Sequence, residues 1–248
     1  MPKWFLDGQI RLNFSVTTAP NKLVYKSSHD MEIQCATVHH HSTTANLLIG
    51  CANGVKRMSS DGGDVINMTD HNRTKAAEYD GEIFISTQKD EIIRILKYKP
   101  SESEELFRFP AKSNEASYLS VSAKYIAAAD RDNKTIQLYN RATKSVKSRR
   151  LPGHLHPFNL HFLADGNLLV LGAGGKLIKY RILEEEDKQL EIVWTCEGLD
   201  FPMGVSSGEI GMIYVGGAEN KTIYIINEGL SKMDTACMHR LMGMVRES

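Results

Sequence analysis

One unit recurs along this chain: a short apolar run, a polar turn rich in Asp, Asn and Gly, and a second run in which apolar and polar residues alternate. Its clearest copy is Tyr125–Asn140, YIAAADRDNKTIQLYN. It returns as Ile213–Asn227 (IYVGGAENKTIYIIN) and, more loosely, as Asn167–Tyr180 (NLLVLGAGGKLIKY). Weaker copies lie upstream in Glu82–Leu96 and Asn46–Met58. Two β-patterned runs across a short turn of this composition read as a tight hairpin. The first strong apolar residue after each turn (Val55, Ile92, Ile136, Ile178, Ile223) spaces the copies 37, 44, 42 and 45 residues apart. That period is the length of a four-stranded propeller blade. Helical periodicity is weak throughout and β-branched and aromatic residues dominate the runs, so the expected fold is all-β.

The five copies leave about one blade's worth of chain, divided between the two ends. The expectation is a single domain over residues 1–248, a six-bladed β-propeller whose ring is closed by pairing N- and C-terminal strands. Gln9–Val16 and Lys22–Lys26 would be inner strands of the extra blade, Met31–Ala36 its outer strand, and Leu241–Val245 its returning innermost strand. Closure pairs sheet edges that would otherwise template aggregation. In the middle blade, Tyr118–Ser122 is read as the inner strand, Tyr125–Ala129 as the second, Thr135–Tyr139 as the third and Ser145–Arg150 as the outer one. The next blade opens at Pro157–Phe162, and the last full one opens at Pro202 and ends near Ala236–Leu241.

Formal net charge is zero, which removes any global electrostatic pull toward nucleic acid or membrane. The four cysteines, Cys35, Cys51, Cys196 and Cys237, show no metal-ligand spacing. They read as free thiols packed in the strands of a reduced, cytoplasmic protein. Met1–Ile10 is too polar for a signal peptide, and no run approaches membrane-spanning length. Five Asn-x-Ser/Thr triplets, including Asn133-Lys-Thr and Asn220-Lys-Thr, are read as turn chemistry rather than as glycosylation sites.

Asp130-x-x-Asn133-x-x-Ile136 matches the Asp-x-x-Asn-x-x-Ile core of the NHL repeat, and Pro202-Met203-Gly204-Val205 resembles its Pro-x-Gly-hydrophobic opening. The chain is therefore similar to the propellers that end tripartite-motif proteins. Thr135 and Thr222 stand where that family usually has Arg, and Gly172 and Gly217 stand where Asp130 has its carboxylate. The resemblance implies a non-enzymatic recognition module, with a protein or peptide as the expected partner, serving as the substrate-recognising part of a ubiquitin ligase of that type. It also implies an alternative, single-stranded RNA binding.

A propeller binds where its second-to-third-strand turns and blade-to-blade loops converge. Those segments supply Lys89, Lys112, Asn114, Tyr118, Arg131, Asp132, Lys134, His154, His156, Phe158 and Phe201 as the candidate ligand-binding set. Arg131 and Lys134 would take anionic groups, Tyr118 and Phe158 would stack, and Asp132 and Asn114 would hydrogen-bond. The basic run Lys124, Arg131, Lys134, Arg141, Lys144, Lys147, Arg149 and Arg150 carries the RNA alternative. The third reading is a metal-dependent propeller hydrolase or lyase, which needs acidic or histidine ligands converging from several inner strands. The inner strands offer Glu78, Ser120, Asn159, His161, Ser206 and Ser207 without a ring of carboxylates. His39–His41 alternate faces of one strand and make no metal site by themselves. The expectation is no catalytic residue, no metal, no small-molecule cofactor and no membrane contact.

Overall fold

The computed structural model describes residues 33–41, 44–51, 54–59, 65–69, 74–112, 117–151, 155–183, 190–208, 211–217, 222–227 and 238–242. They form twenty strands in five four-stranded antiparallel sheets, each a meander of sequential strands. The first sheet holds β1 (Ile33–His41), β2 (Thr44–Cys51), β3 (Gly54–Ser59) and β4 (Val65–Thr69). The second holds β5 (Lys75–Tyr79), β6 (Glu82–Lys89), β7 (Ile92–Lys97) and β8 (Glu104–Pro110). The third holds β9 (Leu119–Val121), β10 (Tyr125–Asp130), β11 (Thr135–Asn140) and β12 (Val146–Arg150). The fourth holds β13 (Pro157–Phe162), β14 (Leu168–Gly172), β15 (Lys176–Arg181) and β16 (Glu191–Cys196). The fifth holds β17 (Pro202–Ser207), β18 (Met212–Gly217), β19 (Thr222–Asn227) and β20 (Met238–Met242). Among the described residues no helix is long and apolar enough to cross a membrane.

The repeat therefore folds as expected, and each of the five ruler residues falls in the third strand of its sheet. By its contacts the chain divides into two compact units, Met1–Arg108 and Phe109–Ser248. In the first unit, Leu48, Val55, Ala76, Ile83 and Ile85 pack into one cluster. Thr74 adds a tie there, its hydroxyl donating to the Gly54 carbonyl at 2.7 Å.

The second unit shows most directly why the blade sequence works. The run LLVLG of β14 is buried along its whole length, as a short continuous apolar run sandwiched on both faces must be. Alternation sends Leu168 and Val170 to one face, where they meet Ala127, Ala129, Ile136 and Leu138 of the third sheet. Leu169 and Leu171 go to the other face and meet Ile213, Val215, Tyr224 and Ile226 of the fifth. The third, fourth and fifth sheets thus stack face to face, and each fully buried leucine contributes about 1.5–3 kcal/mol of transfer free energy. Cys196 lies in the second of these clusters as a buried free thiol. Burial, with the neighbouring Glu197 carboxylate, pushes its pKa up.

Three expectations need correction. The described residues hold five sheets rather than six. Ile33–Ala36 do not form the outer strand of an extra N-terminal blade. They lie in β1, the opening strand of the first sheet, with Cys35 opposite Gly50 and Val38 opposite Leu47. Leu241 does not return as an innermost strand. It lies in β20 opposite Ile223, as the fourth strand of the fifth sheet. In both cases a neighbouring hairpin needed a partner for its open ladder, and the adjacent chain supplied it. Gln9–Val16 and Lys22–Lys26 lie outside the described residues.

Candidate functional site

In a meander, consecutive turns alternate between the two ends of the sheet. The β10–β11 turn, Arg131–Lys134, therefore lies at the same end as the segments entering β9 and β13. Its shape is set by Asp130, which is 2% exposed. The Asp130 carboxylate accepts from the Asn133 backbone N–H at 3.1 Å and the Asn133 side-chain amide at 3.1 Å. It also accepts from the Gln137 amide at 3.0 Å and the Thr135 hydroxyl at 3.3 Å. The motif residues Asp130 and Asn133 thus build the turn that presents Arg131 and Asp132.

Three chain segments meet on this turn. The Lys112 backbone N–H donates to the Asp132 carboxylate at 2.6 Å. The His156 ring Nδ1 is 3.2 Å from the Arg131 carbonyl, an acceptor, so Nδ1 carries the proton in that bond. The Arg131 guanidinium lies over the Phe158 ring, 5.6 Å from its centroid, within the range of a cation–π contact. The Phe158 ring in turn packs against Tyr118 at 5.4 Å with an interplanar angle of 36°. Tyr118 is placed by a backbone bond from the Ala129 N–H to its carbonyl at 3.1 Å. It is also fixed by Ser117, whose hydroxyl reaches the Ala129 carbonyl at 2.7 Å. The result is a half-buried aromatic pair capped by an exposed cation, with exposed Lys112 and His156 at its margin and Asp132 held to the Lys112 backbone.

Six of the candidate residues (Lys112, Tyr118, Arg131, Asp132, His156 and Phe158) are therefore brought together. Lys134 sits in the same turn in the left-handed region at φ 55°. Its carbonyl accepts from the Leu151 N–H at 3.1 Å. Phe201, 56% exposed and at φ 40°, marks the next seam, before β17. Lys89 is exposed at the end of β6 in the other compact unit. Asn114 and His154 lie outside the described residues.

The basic run does not form one stripe. Arg131 and Lys134 lie in the β10–β11 turn, whereas Lys124, Arg141 and Lys144 lie in turns at the opposite end of the third sheet. Arg141 is turned inward, its guanidinium donating to the Ser122 carbonyl at 2.8 Å. Arg149 is only 9% exposed on the outer strand.

A second polar arrangement joins the inner strands. The Ser120 hydroxyl accepts from the Phe162 N–H at 2.8 Å. One sheet on, His161 Nε2 accepts from the Ser207 N–H at 3.1 Å and lies 2.8 Å from the Ser207 hydroxyl. Burial lowers the His161 pKa, so the ring is neutral at pH 7, with its proton on Nδ1. A neutral imidazole beside a hydroxyl has the geometry of a base–hydroxyl pair. Ser120 occupies the corresponding place in β9 and accepts the corresponding N–H, so the role shared by the two positions is to tie successive inner strands. Sequence reasoning had His161 and Ser207 on inner strands but missed their contact; the signal was the repeat, in which Phe162 and Ser207 close equivalent inner strands. Among the described residues no three His, Cys, Asp or Glu side chains converge as a metal set.

No protein-family model and no curated protein sequence matches the chain. Solved structures do. A chain of a nidogen–laminin complex superposes with a TM-score of 0.64 at 14% identity, over 87% of this chain and 83% of that one. Virginiamycin B lyase from Staphylococcus aureus gives 0.62 at 12% identity, over 91% and 74%. A streptogramin B lyase gives 0.59 at 13%, over 83% and 67%. At such identities the likeness shows the fold alone: a β-propeller of antiparallel sheets. It also corrects one expectation. Two of these three neighbours are lyases, so this architecture houses catalysts, and the repeat pattern gave no ground for classing the chain as non-enzymatic.

Proposed function

We propose that the chain is a recognition propeller that binds a peptide segment of a protein partner at the loop end built from Lys112, Tyr118, Arg131, Asp132, His156 and Phe158. The observation that carries this reading is the convergence of three loop segments on one aromatic pair capped by Arg131. A half-buried aromatic surface beside a cation suits a peptide that offers an acidic group next to an apolar side chain. A neighbour of this fold comes from a protein–protein complex, nidogen with laminin, which supports the same class of partner.

In this reading the chain is one NHL-type domain. The tripartite-motif resemblance adds a role in selecting ligase substrates in the cytoplasm.

The test is a random-peptide display selection on the full chain, followed by fluorescence anisotropy with the enriched peptides. Arg131→Glu and Phe158→Ala are each expected to weaken binding by about tenfold or more. Enriched peptides that bind both variants as tightly as the parent would refute the site.

A further inference from the structure

The loop-end cluster has a counterpart one sheet on, at the seam between the fourth and fifth sheets. Both β13 and β17 open on a buried proline followed by a β-bulge. Pro157 stands opposite Gly172 and Asn159 opposite Leu171; likewise Pro202 stands opposite Gly217 and Gly204 opposite Gly216. The residues left without a cross-strand partner are Phe158 and Met203, which therefore hold equivalent places at the same end of successive inner strands. A bulge of this kind re-aims a side chain out of the ladder. The Asn159 side-chain amide donates to the Met203 carbonyl at 3.1 Å and ties the two strands at this level.

The turns above them differ. The β10–β11 turn sends Arg131 over the Phe158 ring. The corresponding β14–β15 turn is Ala173, Gly174 and Gly175, which has no long side chain to send, and a Cβ at Gly174 would meet nothing within 4 Å. Met203 is left 40% exposed, and Phe201, two residues before it, 56%.

Phe201 is held out by its own backbone. It sits at φ 40°, an outlier for a bulky residue, and the more so before a proline, where extended backbone is the rule. The chain on either side fixes it there. The Leu199 N–H donates to the Gly175 carbonyl and the Asp200 N–H to the Tyr224 hydroxyl, both at 3.1 Å. On the other side Pro202 is buried. An aromatic side chain kept in water on strained backbone is unfavourable on both counts, and strain of this kind collects at ligand clamps.

Resting on the peptide reading above, we infer that Phe201 and Met203 form a second subsite for the same peptide, one that takes a large apolar side chain such as leucine, methionine or phenylalanine. Burying that side chain against the two is favourable in proportion to the apolar area removed from water. Sheets packed face to face stand about 10 Å apart and an extended chain advances about 3.3 Å per residue. The apolar side chain therefore lies about three residues from the one seated at Phe158.

The test is a random-peptide display selection on the full chain. The enriched peptides are fluorescein-labelled, alanine-scanned and titrated against the parent, Phe201→Asn, Met203→Gln and Phe158→Ala proteins. Asparagine tolerates positive φ, so Phe201→Asn should leave Tm unchanged or raise it while weakening the peptides by about tenfold. Met203→Gln keeps the length of the side chain and should weaken them by about threefold. Replacing the apolar peptide residue by alanine should cost about tenfold against the parent and nothing further against Phe201→Asn, the mark of a direct contact. Peptides weakened by Phe158→Ala but equally tight on Phe201→Asn and Met203→Gln overturn the second subsite and leave the first in place. Peptides weakened by Phe201→Asn but not by Phe158→Ala support the apolar subsite and refute the first. Losses that simply add in the scan overturn the contact between Phe201 and the apolar residue, and a selection that enriches nothing, or only peptides indifferent to all three variants, overturns both subsites.

Discussion

Replacing Asp130 by Ala tests how the recognition turn is held. The carboxylate is 2% exposed and receives four donors: the Asn133 N–H and amide, the Thr135 hydroxyl and the Gln137 amide. Hydrogen bonds to a charged group contribute about 1.5–3 kcal/mol each, but these four do not add. Asn133 and Thr135 can turn to water, and Gln137 keeps its 3.2 Å contact with the Ser148 hydroxyl. Removing a buried charge also relieves its desolvation. Two bonds' worth, about 3 kcal/mol, is the expected loss for Asp130→Ala, a large share of a total stability of about 5–15 kcal/mol. For a domain of this size that is a fall in Tm of roughly 6–12 °C. Asp130→Asn keeps the shape and one acceptor but sets an amide against donors, and should lie between Ala and the parent. Thermal melts by circular dichroism measure both. Peptide affinity measured well below the melt should fall as well, because Arg131 loses the turn that holds it over Phe158. An Asp130→Ala melt within about 1 °C of the parent would mean that the turn does not depend on this carboxylate, and the account of the site's construction would be wrong.

Gly175 separates steric from backbone effects. A Cβ there would lie 2.1 Å from the Leu199 carbonyl oxygen at φ 75°, whereas one at Gly174, φ 82°, meets nothing within 4 Å. Gly175→Ala should lower the urea-unfolding free energy by about 2–4 kcal/mol and Gly174→Ala by about 1 kcal/mol; equal losses would contradict the packing. The His161 seam gives a pH signature. Its folded pKa lies below the ordinary histidine value of 6.5, so the unfolded chain takes up the proton first. The stability that the neutral ring contributes is present above about pH 6.5 and is lost as pH falls toward the folded pKa. Tm should drop between pH 7.5 and 5, and His161→Gln should flatten that slope; an unchanged slope would place the titration elsewhere.

The repeat was legible because its signal is local: YIAAAD, a turn and TIQLYN carry the period-2 pattern and the turn residues within sixteen positions. The loop-end cluster was partly legible for a related reason. Successive blades place equivalent segments side by side, so loop residues as far apart as Lys112 and Asp132 could be expected at one end. The basic run misled because adjacency in sequence is not adjacency on a meander. Lys124 and Arg131 are seven residues apart yet at opposite ends of the sheet. The chain ends were misassigned because short β-patterned runs such as Met31–Ala36 and Leu241–Val245 do not say which ladder they will join. That choice follows from the neighbouring open edge, which periodicity does not encode. The His161–Ser207 contact spans 46 residues and appears only when the inner strands are laid against one another.

The most direct measurement is hydrogen–deuterium exchange of the full chain with and without an enriched peptide. The account predicts slowed exchange in the Arg131–Lys134 turn and around His156–Phe158, with the β12 edge unchanged. Protection confined to other segments, with those two loops exchanging as before, would show that the working surface of this propeller lies elsewhere.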